Sequence, residues 1–196
     1  MQPLFINFSR NFEIMKNIEQ IIAKCQKNDR RAQKRLYEIY APLLLGICMR
    51  YAKDKQEAED VLQEGFIKIF SRIEQYSGKG SFEGWLRRIM VNTAITNYRA
   101  NLKRYYHDEI SDVNEYNFVG DVNESEFTRD ELLKAIRQLP KGYAMVFNLY
   151  AIEGYKHKEI AEMLDIDIST SKSQFLRARN ALQIILMELK KEKVSA

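Results

Sequence analysis

The sequence of 196 residues holds only two cysteines and two histidines, and their placement excludes most of the chemistry such residues carry. Cys25 and Cys48 stand without the close Cys/His spacings of a zinc site, and are expected as reduced, packed thiols. His107 and His157 are far apart and neither is given a catalytic role. No nucleophile-base pair or metal cluster is recognisable, so an enzyme is not expected, nor a cofactor or small-molecule substrate. No apolar run approaches the roughly 20 residues of a membrane span. No secretory pattern is present either, which makes a cytoplasmic location the expectation.

What the chain does have is charge and helical periodicity. Hydrophobic residues make up 45% of it and charged residues 30%, as in a soluble globular protein of one or two small domains. The formal net charge of +4 hides an uneven distribution. Residues 16–104 sum to +8, 105–130 to −7 and 131–196 to +3, while 1–15 are neutral. Two basic blocks flanking an acidic connector are the expected footprint of a polyanionic partner, although blocks of this modest size also occur on many proteins with none.

Residues 1–15 carry little charge and no period and are expected to be an extension, of which the first fourteen are dispensable or absent, with Met15 as a natural start. A helix is expected from near Asn17, with Ile18, Ile21 and Ile22. From Asp29 onward Leu36, Tyr40, Leu44, Ile47 and Tyr51 form a long helical stripe, which Pro42 should kink or divide. Asp54, with Glu57 three residues on, reads as a capped start of the next helix. Its core face is Ala58, Leu62, Phe66, Ile69 and Ile73. Asp60, Gln63, Glu64, Ile67 and Ser71 share the opposite face. A charged face is either merely solvated or a docking surface. The isoleucine among acceptors favours docking.

After the turn-rich Tyr76-Ser77-Gly78-Lys79-Gly80, Ser81 reads as an N-cap and Phe82, Leu86, Ile89 and Thr93 as a buried stripe. Trp85, Arg88, Asn92 and Arg99 fall along one neighbouring edge. A stacking ring, an amide and two cations in line suit single-stranded nucleic acid, although a Trp at the rim of a core with a solvated amide beside it would look the same. This first helical domain is expected over residues 16–104. Residues 105–130, rich in Asn, Asp, Glu and Ser, read as a flexible linker in which Tyr116 and Phe118 could provide partial anchoring.

A second helical domain is expected over 131–196. Leu132, Leu133, Ile136 and Leu139 make a helix stopped by Pro140. A second helix holds Tyr143, Val146, Phe147 and Tyr150, with Gly154 as its C-terminal cap. His157 to Leu164 is a short helix, Asp165-Ile166-Asp167 a turn, and the last helix runs from about Ser169 with Phe175, Ala178, Leu182, Ile185 and Leu189 as its seam. Thr170, Ser173 and Arg177 lie opposite that seam, flanked by Lys172. Short helix, tight turn and long helix with a polar N-terminal face describe a helix-turn-helix.

Glu59-Asp60-Val61-Leu62-Gln63-Glu64-Gly65-Phe66-Ile67-Lys68, followed by Gly80-Ser81-Phe82-Glu83-Gly84-Trp85-Leu86-Arg87-Arg88-Ile89-Met90-Val91-Asn92-Thr93-Ala94, resembles region two of bacterial extracytoplasmic-function (ECF) sigma factors. Gly154 to Ala161 with Thr170 to Arg179 is similar to region four of the same family. The resemblance implies an all-α protein: two small helical domains joined by a flexible acidic linker, the second holding the helix-turn-helix. It further implies docking of Asp60, Gln63, Glu64 and Ile67 on the beta-prime clamp helices of core RNA polymerase, with the beta flap as a second contact. Trp85, Arg88, Asn92 and Arg99 would bind the minus-ten promoter element. Thr170, Lys172, Ser173, Gln174, Leu176 and Arg177 would bind the minus-thirty-five element, and an anti-sigma factor is an expected partner. Asp165 and Ile168-Ser169 depart from the Gly and Glu-Gly more usual there, which puts strain on the expected turn. The rival reading is a stand-alone helix-turn-helix regulator, in which Asp60, Gln63 and Glu64 would have no purpose.

Overall fold

A computed structural model describes residues 18–108 and 127–195, and every regular element among them is helical. Residues 1–14 with Met15, and the linker aromatics Tyr116 and Phe118, lie outside the described residues. The rest fall into two compact units, one of residues up to 48 with 56–93, the other of 49–55 with those from 94 onward.

The first unit begins with α1, residues 18–25. Left-handed Asn28 closes that helix (φ 58°), the Asp29 amide donating to the Lys24 carbonyl at 3.1 Å. Asp29 then caps α2 (Arg30–Tyr51), its carboxylate accepting from the amides of Ala32 (3.0 Å) and Arg31 (2.8 Å). Those bonds hold its carboxyl below the usual range. Of the kink or division expected at Pro42, the division does not occur, since α2 runs through it unbroken. Pro42 and Glu38, whose carbonyl a proline four residues on cannot bond, both lie on the exposed side of the helix. Leu36, Tyr40, Leu44 and Ile47 stay buried on both sides of the proline, and that burial outweighs a cost of about 3 kcal/mol.

α3 (Lys55–Arg72) starts directly after Asp54 and passes into a 3-10 turn, Ile73–Gln75. All five residues of its expected core face are buried. Gly65 permits a close approach, for a methyl group there would collide with Sδ of buried Met90 on the helix Phe82–Asp108. The Gln26 side chain donates to the carbonyls of Ile73 (3.1 Å) and Tyr76 (3.3 Å), tying the end of α1 to the chain after α3. Cys25, at the end of α1, has no solvent exposure.

α4 spans Phe82–Asp108 and α5 Arg129–Gln138, so helix extends over both ends of the stretch 105–130. A full capping box starts α5: the Thr128 amide donates to Glu131 Oε2 (2.8 Å) and the Glu131 amide to Thr128 Oγ1 (3.4 Å). α6 (Lys141–Phe147) continues as a π turn, Asn148–Ile152, ended by Gly154 at φ +78°. α7 is His157–Leu164 and α8 Ile168–Ser195. α8 packs on α5, α6 and α7, around a core that includes Ile136, Leu139, Ala178, Leu182 and Leu186.

Candidate polymerase and promoter interfaces

On α3 the predicted docking residues do share the outer face. Asp60, Gln63 and Ile67 are exposed, while half-buried Glu64 receives Lys68 Nζ at 2.6 Å one turn on. Ile67 is 69% exposed, an apolar side chain that the packing of its own unit leaves uncovered.

The edge of α4 is built from its first turn. Ser81 Oγ accepts from the Gly84 amide at 3.1 Å, the expected cap. Phe82 then turns into the core, stacks on Trp85 (5.7 Å, 19°) and meets Tyr40 edge-on at 5.7 Å. Tyr76 touches both Phe82 (4.9 Å) and Trp85 (5.6 Å), and its hydroxyl donates to the Gly80 carbonyl at 3.0 Å. That bond closes a loop whose Gly78 and Gly80 take φ of +75° and +84°, conformations only glycine adopts without strain. Trp85 is therefore half-buried against a wall of rings, with exposed Arg88 and Asn92 following it at helical spacing. Arg99, also exposed, lies two turns beyond Asn92, about 10 Å further along the axis. Tyr76 belongs to the stretch that reads from sequence only as turn-rich; the signal of its role is an aromatic flanking a glycine turn before two more rings.

In the helix-turn-helix, Asp165 adopts φ 58° and ψ 51°, taking the left-handed role often given to Gly, and the Ile166 amide reaches the Ala161 carbonyl at 3.1 Å. Lys172, Ser173, Leu176 and Arg177 are exposed on α8, and Thr170 and Gln174 are half-buried. Ser173 Oγ donates to the Thr170 carbonyl at 3.0 Å. Between these polar residues Ser171 is fully buried, its Oγ 3.0 Å from His157 Nδ1. The His157 ring stacks on Tyr150 at 4.4 Å. Burial, and then the Lys172 cation, push its pKa down. Nothing in the spacing links Ser171 to His157, because their meeting depends on how α7 crosses α8.

Among the described residues, no group of three or more His, Cys, Asp or Glu side chains converges as a metal site. Nor is any helix among them long and apolar enough to cross a membrane.

Comparison with known proteins places these elements. Residues 36–104 match the model for Sigma-70 region 2, and residues 129–182 the model for Sigma-70, region 4. The chain is 31% identical over 185 residues to the RNA polymerase sigma-H factor of Pseudomonas aeruginosa, covering 89% of this chain and 96% of that one. It is 30% identical over 177 residues to the ECF RNA polymerase sigma-E factor of Haemophilus influenzae, covering 84% and 93%. A solved structure of the sigma factor RpoE with the anti-sigma factor NepR from Bartonella quintana is 21% identical, with a TM-score of 0.48, covering 79% of this chain and 96% of that one. With region 2 matched across α2 to α4, region 4 across the helix-turn-helix, and such relatives alike over nearly their whole length, the chain belongs to the sigma-70 family, in its ECF group.

Proposed function

We propose that this ECF sigma factor, which directs core RNA polymerase to promoters and into strand opening, divides that work among three surfaces. Asp60, Gln63, Glu64 and Ile67 on α3 dock on the beta-prime clamp helices. Trp85, Arg88, Asn92 and Arg99 on α4 bind the minus-ten element, and Thr170, Lys172, Ser173, Gln174, Leu176 and Arg177 on α8 bind the minus-thirty-five element. The corresponding domains are 16–104 and 131–196, joined by a connector within 105–130. The chain works in the cytoplasm as a non-catalytic subunit, leaving the chemistry to polymerase, and is held in check by an anti-sigma factor.

The observation that carries this reading is Ile67, 69% exposed beside Asp60 and Gln63 on a helix whose other face is fully packed. A stand-alone regulator would have no use for that face. The test is Gln63→Ala combined with Glu64→Lys. The double variant should keep its helical circular dichroism and lose co-purification with core polymerase. Undiminished co-purification would refute docking through α3.

A further inference from the structure

One side chain reaches from the first helix of the helix-turn-helix to the base of the second. His157 opens α7, and its Nδ1 lies 3.0 Å from Oγ of Ser171 on α8. Ser171 is fully buried although Lys172 and Ser173 beside it are exposed. A buried hydroxyl is costly unless it is hydrogen-bonded, and an apolar residue would suffice if packing were its only duty. The imidazole is also fixed in orientation. It stacks on Tyr150 (4.4 Å, 14°) and meets Phe175 edge-on (5.9 Å, 63°), while Tyr150 itself packs on Phe175 at 4.5 Å. Ser171 and Phe175 are four residues apart, so one face of α8 supplies both the hydroxyl and the ring that grip His157.

We infer that His157 is a positioning residue for upstream promoter recognition, its bond to Ser171 setting the rotation at which α8 presents Thr170, Ser173 and Arg177. The inference rests on the reading of α8 proposed above. The seam from Ala178 onward fixes the body of α8, but at its N-terminal turns stacking alone would leave some freedom to twist, because ring contacts are broad in angle. The Nδ1 to Oγ bond is directional, whichever of the two atoms carries the proton. The lever is short: with side chains about 5 to 6 Å from the axis, a roll of about 10° displaces a reading group by about 1 Å. That is enough to spoil a bidentate contact to a base edge.

The experiment uses the full chain with core polymerase and promoters that vary only in the upstream element. Its readout is the ratio of transcription from the preferred to that from a scrambled upstream element. A premelted template carrying only the minus-ten element serves as control. His157→Phe, which keeps the ring and loses the nitrogen, should lower the ratio about fivefold, the low end of what one lost base contact costs. Ser171→Ala should do the same, the double variant should be no worse than either single one, and His157→Asn should restore most of the ratio. Output from the premelted template should not change. A parental ratio in Ser171→Ala, losses that multiply in the double variant, or no rescue by asparagine would each overturn the inference. Arg177→Ala separates the two readings. If it also leaves the ratio unchanged, the assignment of α8 falls and the inference with it. If it lowers the ratio while His157→Phe does not, positioning alone is refuted.

Discussion

In α4 the first of the side chains proposed for the minus-ten element, Trp85, stands in a wall of aromatic rings, whereas in α8 those proposed for the upstream element stand over one part-buried contact between a hydroxyl and an imidazole. Tyr40, Tyr76, Phe82 and Trp85 bury broad apolar surface and hold by area. Ser171 and His157 hold by direction. The tasks differ in the same way. Extruding a base costs a few kcal/mol and gains from a firm stacking platform, while reading a closed duplex requires donors and acceptors at set angles to the groove. Holding by area tolerates small displacements, and holding by direction does not.

The largest expected effect comes from breaking the wall. Phe82→Ala removes a buried ring that packs on Trp85, Tyr76 and Tyr40, and should cost about 3 to 5 kcal/mol in chemical denaturation. The fluorescence of Trp85, the only tryptophan in the chain, should shift to longer wavelength as its stacked neighbour is lost.

Leaving the wall intact and removing only the amide sharpens the comparison. Asn92→Ala should preserve fold, polymerase binding and closed-promoter binding. It should weaken strand opening by about 1 to 3 kcal/mol, the size of lost hydrogen bonds to a base. Permanganate reactivity of promoter thymines measures this, with the largest loss expected at one minus-ten position. Equal opening on every base variant would leave Asn92 as a solvated residue at the rim.

On α8, Arg177→Ala should cost about 1 to 3 kcal/mol in upstream binding and relax the preference at one base pair. Lys172→Ala should instead reduce the salt slope by about 1 with little change in preference. A titration over ionic strength distinguishes them, and identical behaviour of the two variants would argue against base reading by Arg177.

The smallest effect concerns acid. The Lys193 ammonium, followed by the Thr128 amide, holds the Glu131 carboxyl down to about 2. A carboxyl depressed on folding stabilises fully above its unfolded value, near 4.5, and that contribution fades as pH falls towards about 2. Acid should therefore weaken the pairing of α5 with the far end of α8. Glu131→Gln should flatten this part of the pH dependence of thermal unfolding.

Much of this was legible from spacing alone. The limits of α7, the Ser81 cap, the buried stripes of α2 to α4 and the exposure of Ile67 all follow from local periodicity and cap chemistry. What escaped depends on neighbours remote in sequence or on backbone register. Pro42 is tolerated because its side of α2 faces water, which a stripe of apolar residues does not reveal. The π turn at Asn148–Ile152 shifts the hydrogen-bond register within a stretch whose side chains still look helical. Tyr76 and Trp85, and likewise Tyr150, His157 and Ser171, meet only once separate elements have packed. The residues proposed to read DNA could be picked out by type, but the ones that hold them could not.

Cys25 carries a consequence of a different kind. Its burial at the end of α1, helped by the nearby Asp29 carboxylate, pushes the thiol up to about 11. At neutral pH the buried sulfur is therefore held as the unreactive thiol more firmly than an ordinary exposed cysteine. Alkylation of this sulfur is then expected to wait on the unlatching of α1, and its rate, followed by mass spectrometry, would report how often that helix lifts.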